Sequence, residues 1–292
     1  MMFEAFQPIQ LKVSKIIQET HDVKIFQLER ATGLASPPKA ESEGCGGHLP
    51  GARLPDGQGR QVGGATVPNG IPQKDDSGSS MPFEFYPGQF LVLSFEIFDP
   101  AKDRMRRKNR AFSISSSPTE KSYVEITVKK TGLVSTYMHE SIKEGDLLLI
   151  KNRSGEFYFR EGLADEVVLI AGGTGIAPLM SMIRYITERK LPVKMTLLFS
   201  NKTPADIVFY KELRDMESHN PFLRCVFTIT RPEGYSWQGP TGRISQELIE
   251  RCVPNRQALF YICGPTPMIQ SCVLLLKAVG VDPSRIRLEK WD

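Results

Sequence analysis

The sequence contains few cysteines, and none of them lie close together. Its five cysteines are scattered, and no two have C-x-x-C spacing, so neither a zinc centre nor a disulfide framework is expected. The C-x4-C-x2-C run of a plant-type 2Fe–2S cluster is absent as well. We therefore expect no metal site, and if the protein transfers electrons, it does so without an iron–sulfur centre of its own.

Long hydrophobic runs and a strong charge imbalance are also missing. No apolar stretch approaches the roughly 20 residues that cross a bilayer, and residues 1–6 lack the basic start and apolar core of a secretory signal. The net charge of +4 is too small to indicate nucleic-acid binding by itself. We expect a cytoplasmic protein that neither inserts into a membrane nor binds nucleic acid.

The pattern of hydrophobic residues changes along the 292 residues, a length sufficient for two domains. In the first half, alternating segments predict strands at 9–17, 23–28, 90–95 and 123–128. In the second half, helical patterns at 178–187 and 207–216 alternate with short apolar runs at 167–170, 195–199, 225–229 and 258–262. Such alternation predicts a parallel, doubly wound sheet, and we place the domain boundary near residue 160.

Residues 36–80 fit neither half. This segment holds ten glycines and six prolines in 45 positions and has no aromatic residue. Such a composition cannot bury a core, so we interpret the segment as a flexible insertion between two strands. A partner-binding arm or a lid is the functional alternative, which the composition does not favour.

The first chemical motif is the extended stretch Arg110-Ala111-Phe112-Ser113-Ile114-Ser115. It combines a permanent positive charge, an aromatic face and two hydroxyls. Because side chains alternate along a strand, the arginine, the phenylalanine and the isoleucine are expected on one face and the two serines on the other.

About twenty residues later, the stretch 130–136 opens a predicted helix running towards residue 142. A helix start with free N–H groups, a glycine for close approach and hydroxyl side chains is an anion site. The candidate residues are Thr131, Gly132, Ser135 and Thr136. An arginine together with such a helix start matches the pyrophosphate of a dinucleotide.

Two further motifs lie in the second half. In residues 169–178 an apolar strand runs into a glycine-rich turn and then a helix. Gly172, Gly173 and Gly175 permit close approach to phosphate. Thr174 offers a hydroxyl, and Pro178 suits the first helical turn. This turn departs from a strict G-x-G-x-x-G. Residues 261–268 follow at a strand's carboxyl end, where open α/β sheets bind ligands.

In this order, the motifs resemble those of the ferredoxin–NADP reductase superfamily. Residues 110–113 are similar to its R-x-Y/F-S flavin motif, 132–135 to its G-x-x-S phosphate motif and 87–90 to its P-G-Q-F/Y. Residues 172–178 resemble its glycine-rich nucleotide turn, and 261–268 its Y-x-C-G-P-x-x-M. The resemblance implies an antiparallel Greek-key β-barrel that binds FAD over residues 1–160, followed by an NAD(P)-binding parallel α/β domain over residues 161–292.

The resemblance also implies roles for individual residues. Arg110 would hold the FAD pyrophosphate, Phe112 would pack on the flavin, and Ser113 would bond near flavin N5. Cys263 would lie close to the nicotinamide C4 and flavin N5, where Gly264 and Pro265 shape the passage. The motif positions Ala111, Ile114 and Met268 complete the expected cofactor-binding set.

The second adenosine end of the nucleotide is expected near residues 200–202 and Thr230-Arg231. The latter pair resembles the Ser-Arg pair of NADPH-using relatives, but the Lys and Tyr that usually follow are missing, so NADPH and NADH both stay open. At the C-terminus, Glu289 and Trp291 match the spacing of a glutamate and a flavin-stacking terminal aromatic in some relatives. A tryptophan that merely caps the last strand is the alternative.

The predicted function is hydride transfer from NAD(P)H to bound FAD, with electrons passed on to a protein acceptor: a ferredoxin, a flavodoxin, a cytochrome or an oxygenase component. The predicted catalytic residues are Ser113, Cys263 and Glu289. FMN is an alternative to FAD, because some relatives use it. The basic run 102–108 is either a docking surface for an acidic acceptor or a solvated loop. A reductase of free flavin or ferric chelates and a nucleotide-sensing regulator are the alternative functions.

Overall fold

The computed structural model describes residues 7–31, 81–99, 101–253 and 255–291. The predicted insertion at 36–80 lies outside the described residues, and so does the side chain of Trp291. In the part of the chain that is described, no helix is both long enough and apolar enough to cross a membrane.

The first half is an antiparallel sheet of six strands that curls back on itself. Its strands are β1 (Ile9–Thr20), β2 (Val23–Arg30), β3 (Phe90–Asp99), β4 (Arg104–Ser113), β5 (Tyr123–Lys129) and β6 (Leu147–Ser154), with the helix α1 (Leu133–Glu140) after β5. The spatial order is β4-β3-β6-β1-β2-β5. A bridge between Ile114 and Ile126 brings the end of β4 to the opposite edge strand. The predicted antiparallel barrel is confirmed.

Alternation along the strands builds the core of this barrel. On β3 the residues Leu91, Leu93, Phe95 and Ile97 are buried, and the positions between them are more exposed. Equivalent residues of β1, β2 and β5 complete one hydrophobic cluster. At about 25 cal/mol per Å² of apolar surface removed from water, this burial is the main force that closes the barrel.

The second half alternates strands and helices as predicted. Its elements in chain order are β7 (Glu166–Gly172), α2 (Ile176–Glu188), β8 (Lys194–Asn201), α3 (Tyr210–His219), β9 (Leu223–Ile229), α4 (Gln246–Cys252), β10 (Leu259–Pro265), α5 (Thr266–Ala278) and β11 (Ile286–Trp291). All strands are parallel, in the order β11-β10-β7-β8-β9. The chain leaves β7 first to one side and later to the other, so a ligand crevice is expected at the carboxyl ends of β7 and β10.

Burial on both faces of the parallel sheet explains its uninterrupted apolar strands. On β7, Val167 and Leu169 join one hydrophobic cluster, whereas Val168 and Ile170 join another on the opposite face. The first of these clusters also includes residues of the barrel half, namely Val23, Ile25, Phe157 and Phe159. Apolar packing therefore connects the two halves directly.

Two local details differ from the sequence-based expectation. The helix expected at 207–216 begins only at Tyr210, because Phe209 has a left-handed backbone (φ 60°). The residues before it, Ile207 and Val208, are buried in the core instead. The basic run 102–108 lies mostly on β4, where it pairs in register with β3, so most of it is strand rather than loop.

Candidate active site

Two of the three predicted catalytic side chains meet where the barrel contacts the parallel sheet. Ser113 ends β4 and is buried, and its hydroxyl donates to Oε2 of Glu289 on β11 at 3.4 Å, across 176 positions of sequence. The third residue, Cys263, lies next to Glu289 because the two are register partners on β10 and β11. The fold thus brings together three residues that the sequence places in three separate motifs.

Glu289 has an unusual environment for a carboxyl group. Burial raises its pKa from 4.5 to about 7, and the hydrogen bond from Ser113 opposes this shift only in part. A carboxyl with this pKa changes its protonation state near neutral pH. The Ser113–Glu289 pair can therefore hold or release a proton at Oε2.

Cys263 has no exposed surface and belongs to the core cluster that both halves share. Contact between its thiol and a ligand requires that the groups covering it move. The main chain beside it is also tightly enclosed, because a Cβ on Gly175 would lie 2.2 Å from the carbonyl oxygen of Cys263.

Close packing accounts for most of the glycines in these two motifs. A Cβ on Gly172 would lie 2.5 Å from the sulfur of Met268, and Gly264 (φ 157°) lies against the backbone of Gly172. The turn after β7 therefore packs on the turn after β10 with no room for side chains. Gly173 is different, because its backbone is left-handed (φ 54°) and a Cβ there would point into open space. Of these glycines, it is the one best placed for an approaching phosphate.

A cavity of about 360 Å³ opens at this crevice. Its lining includes six of the predicted nucleotide-binding residues, namely Gly172, Gly173, Thr174, Thr230, Pro265 and Met268. It extends across the carboxyl ends of β8 and β9 to the predicted adenosine end at Asn201, Lys202 and Thr230. A volume of this size is typical of small-molecule sites.

Asn201 is an informative residue in this cavity. It is 5% exposed, and neither its side-chain oxygen nor its side-chain nitrogen has a hydrogen-bond partner among the described residues. An unpaired buried amide costs about 1–3 kcal/mol. A polar ligand that reaches this amide would recover that free energy, which favours a hydrogen-bonding group at this end of the cavity.

The cations at the adenosine end match the expectation only in part, since Lys202 lines the cavity as expected. Arg231 is exposed and does not line the cavity, whereas Arg243 does. Asp22 and Lys129, a 3.1 Å ion pair from the barrel half, also contribute to the lining. Sequence reasoning missed these three residues because no motif surrounds them and only the fold brings them to the crevice.

One group of potential metal ligands lies at the edge of this cavity. Asp22 and Asp206 flank His21, with nitrogen to oxygen separations of 3.7 and 3.8 Å. Asp206 also accepts bonds from the hydroxyl and the main-chain N–H of Thr203. Ion pairing and helix capping account for these side chains, so we assign no metal to them.

On the barrel side, Arg110 is the clearest anion-binding candidate. It is exposed and makes no ion pair with any described residue, and its guanidinium reaches only the carbonyl oxygen of Asn109 at 3.4 Å. Phe112 is half-buried against the barrel core, and Ala111 is exposed. Ile114 has no exposed surface, so its side chain serves the barrel core rather than a ligand surface.

The start of α1 forms a self-contained turn. The hydroxyl of Ser135 accepts the main-chain N–H groups of Thr131 and Gly132 and donates to the carbonyl oxygen of Gly132. Thr136 is held through its own N–H, which donates to Gly132. The serine thus shapes the turn and leaves Gly132 facing open space, since nothing lies within 4 Å of a Cβ built there.

These observations test whether two dinucleotides fit. The barrel offers a guanidinium on β4 that makes no ion pair with a described residue, and a helix start whose Gly132 faces open space. Both features are of the kind that bind a pyrophosphate. The parallel sheet offers an open glycine turn, the start of α2 and an unpaired buried amide around one cavity. Pro178 lies buried in the first turn of α2, where it stabilises the helix start and does not reach the cavity. The donor sets fit FAD on one side and a nicotinamide dinucleotide on the other.

Comparison with known proteins agrees with this fit. Residues 77–159 match the model of the oxidoreductase FAD-binding domain, and residues 169–273 match that of the oxidoreductase NAD-binding domain. The glycine betaine monooxygenase reductase subunit of Chromohalobacter salexigens is 34% identical over 214 residues, which cover 72% of this chain and 56% of that protein. The chain thus spans little more than half the length of this relative.

Solved structures show the same fold. The FAD/NAD-binding domain of nitric oxide dioxygenase from Vibrio cholerae superposes with a TM-score of 0.72 at 20% identity, covering 98% of this chain and 99% of that one. A ferredoxin NADP+ reductase from Neisseria gonorrhoeae with bound FAD and NADP gives a TM-score of 0.66 at 19% identity, with coverage of 98% and 99%. Because both identities are low, these likenesses establish the architecture alone.

The two domain models, the reductase-subunit relative and the two-domain fold all lead to the same assignment. The motif at 110–115 meets the parallel sheet through the Ser113–Glu289 hydrogen bond, and the turns within 169–178 and 261–268 pack against each other. The chain belongs to the ferredoxin–NADP reductase superfamily of flavoprotein oxidoreductases, with an FAD-binding and an NAD-binding domain.

Proposed function

We propose that this chain is a flavin-dependent NAD(P)H reductase that takes a hydride from NAD(P)H and passes electrons to a separate protein acceptor. The meeting of Ser113 with Glu289, beside Cys263, carries this proposal. These residues lie at the carboxyl edge of β10 and β11, next to the end of the flavin-type strand β4. A reaction between two cofactors requires such a place, because it must bring the reactive ends of both molecules together.

The bound flavin supplies the chemistry, since it accepts two electrons as a hydride and releases them one at a time. Within this chain, Arg110 and the start of α1 hold the pyrophosphate of FAD, and the turn at 172–175 holds that of NAD(P)H. Ser113 and Glu289 hold a proton at the reacting edge. Ser113 is buried and Glu289 is half-buried, so water has limited access to that edge.

We propose the domain division that this function needs. Residues 1–160 form the FAD-binding domain, and residues 161–292 form the NAD(P)-binding domain. The change from antiparallel to parallel strands between β6 and β7 supports this boundary. The segment 155–165 between these strands is the link.

The acceptor is expected to be an acidic protein that docks on the outer half of the β3–β4 hairpin. Phe98 and Met105 are exposed large apolar side chains there. Lys102 and Arg104 are exposed and make no ion pair with a described residue.

The other cations of this hairpin are paired with acidic side chains. Arg106 and Lys108 both lie near Asp99, and Arg107 lies near Glu96. Exposed apolar groups surrounded by excess positive charge suit a transient, electrostatically steered complex.

The reductase subunit relative is part of a monooxygenase, so an oxygenase component is the first acceptor to test. The docking test reverses two unpaired charges, with Lys102→Glu and Arg104→Glu combined. Reduction of the protein acceptor should slow, with a weaker salt dependence, while reduction of a small dye stays unchanged. Equal slowing of both reactions would contradict docking at this hairpin.

The proposed function itself is tested on the purified protein loaded with FAD. Rapid anaerobic mixing with NADPH, and separately with NADH, should bleach the visible flavin absorption within the time of one turnover. Binding of either nucleotide without bleaching would instead indicate a nucleotide-sensing regulator. Loss of flavin during gel filtration, combined with activity on added free flavin, would indicate a free-flavin reductase.

A further inference from the structure

Arg184 is a buried arginine outside the site described above. It lies on α2, with 14% of its side chain exposed, and it contacts both halves of the protein. Its Nη1 donates to Oε1 of Glu125 on β5 at 2.7 Å and to the main-chain oxygen of Ser115 at 2.8 Å. Its Nε and Nη2 donate to the two carboxylate oxygens of Glu212 on α3, at 2.7 and 2.8 Å. One guanidinium therefore connects the barrel to two helices of the nucleotide domain.

The Arg184 cluster is well matched in charge and shape. Burial alone would lower the pKa of Arg184, but the hydrogen bonds and the charges of the two glutamates raise it overall, so the guanidinium stays charged. The paired oxygens of Glu212 use the planar fork that distinguishes arginine from lysine. The ring of Phe209 lies 5.0 Å from the guanidinium carbon and covers one face. The geometry of this cluster is specific to arginine.

A second hydrogen bond joins the same two segments. Ser181 precedes Arg184 by three positions, so the two side chains lie on one face of α2. Its hydroxyl donates to the main-chain oxygen of Ser116 at 2.6 Å, and both residues are buried. The acceptors, the carbonyl groups of Ser115 and Ser116, follow Ser113 by two and three positions. Two adjacent bonds thus hold the end of the flavin strand against α2.

The other end of α2 lies against the second half of the site. The helix starts right after Gly175, which packs directly on the main chain of Cys263. A regular α-helix rises about 1.5 Å per residue, so its geometry fixes the separation between Gly175 and Arg184 along α2. If the end of the flavin strand (β4 and the residues up to 116) moved relative to α2, the distance from Ser113 to Cys263 would therefore change. So would the distance from Ser113 to Glu289 on the adjacent strand.

We propose that Arg184 is a positioning residue, which aligns the flavin strand with the nucleotide domain so that Ser113 stays opposite Glu289 and Cys263. This role rests on the proposed hydride transfer. Arg184 itself does not line the nucleotide cavity. It acts on the distance between the two reactive edges and not on the affinity of either cofactor.

The test compares Arg184→Lys with wild type, using Arg189→Lys as the matched control. Arg189 directly follows α2, is 53% exposed in its side chain and pairs with Glu161 at 3.1 Å. Lysine at 184 keeps the charge beside Glu125 but cannot reach both carboxylates and the Ser115 carbonyl at once. A full removal such as Arg184→Gln would leave the buried Glu125 without a positively charged partner, which risks misfolding.

Two measurements decide the outcome. At saturating NAD(P)H, single-turnover flavin reduction should slow at least about tenfold in Arg184→Lys, because small misplacements of reacting groups cost rates of this size. The nucleotide dissociation constant should not change, and Arg189→Lys should match wild type in both. A variant that only melts at a lower temperature, with the wild-type saturated rate, would overturn the proposal.

Hydrogen exchange provides a readout that does not depend on activity. In Arg184→Lys, the amides of residues 113–117 should exchange faster, whereas those of the distant helix α4 should not. If wild-type protein fails to reduce flavin, the proposed hydride transfer is wrong. Exchange then decides the positioning role separately, since unchanged protection at 113–117 would refute it.

Discussion

Replacing Glu289 with glutamine tests most directly whether the pKa of this carboxyl group is raised in the folded protein. In the folded protein, burial raises the pKa of this carboxyl to about 7, compared with 4.5 for a free glutamate. Since one pKa unit corresponds to about 1.4 kcal/mol, this difference is worth about 3 kcal/mol of folding free energy, to order of magnitude.

The sign follows from which state binds the proton. Below about pH 4.5 both the folded and the unfolded protein carry a protonated Glu289, so ionisation costs nothing. Between pH 4.5 and about 7, the unfolded chain loses its proton while the folded protein keeps it, so folding becomes less favourable as pH rises. Above about pH 7 both states are ionised, and the full penalty of the buried charge applies.

Glutamine at position 289 has nearly the same shape and cannot ionise. The free energy of unfolding of Glu289→Gln should therefore rise relative to wild type by about 3 kcal/mol between pH 4.5 and pH 8. Urea unfolding of flavin-free protein at several pH values measures this difference. Glu250→Gln, at an exposed position on α4, serves as the control.

A pH-independent difference between the two proteins would refute the reasoning, because it would mean that Glu289 ionises at its ordinary pKa in the folded protein. The same substitution has a kinetic consequence. If the Ser113–Glu289 pair supplies or holds a proton during turnover, the inflection near pH 7 in the rate profile should be absent from the glutamine variant.

Three further predictions follow from single contacts. Arg110→Ala should weaken FAD binding about 10- to 100-fold by flavin titration, since charge-assisted bonds contribute about 1.5–3 kcal/mol; Arg107→Ala, on the same strand, should not. Asn201→Leu should raise the melting temperature of nucleotide-free protein, because it removes an unpaired buried amide, and it should also weaken NAD(P)H binding. A lower melting temperature would show that the amide has hydrogen-bond partners in the folded protein. Gly175→Ala should destabilise the protein by about 1–3 kcal/mol through its clash with Cys263. Gly132→Ala, which faces open space at the N-cap of α1, should cost less than about 1 kcal/mol in the same denaturation assay.

Local patterns along the chain were enough to predict strands in the first half and a parallel sheet in the second, whereas the antiparallel barrel was predicted from the family resemblance. Period-two alternation predicted the strands of the barrel, and all four first-half segments lie within observed strands. Short apolar runs between helical patterns predicted the parallel sheet, because a strand buried on both faces has no polar side. The glycine-rich turn within 169–178 and the start of α1 could also be predicted, since each is formed by residues adjacent in sequence.

Contacts between distant segments could not be read from the sequence. Ser113 meets Glu289 across 176 residues, and Arg184 meets Glu125 and Glu212 from separate elements. No periodicity indicates that an arginine in a largely apolar helix will be buried with two carboxylates. The same holds for Arg243, which takes the place in the cavity lining that sequence reasoning gave to Arg231.

The sequence by itself determined which local structures form and which chemical groups each motif carries, because those depend on neighbouring residues. Only the tertiary structure decided which groups meet, which glycines serve packing and which carboxyl group has a raised pKa. Gly172 and Gly175 serve mainly the packing of two turns, and Glu289 acquires a pKa of about 7 from its burial. The physical reason is that burial and close packing are properties of assembled elements and are not encoded in any one segment.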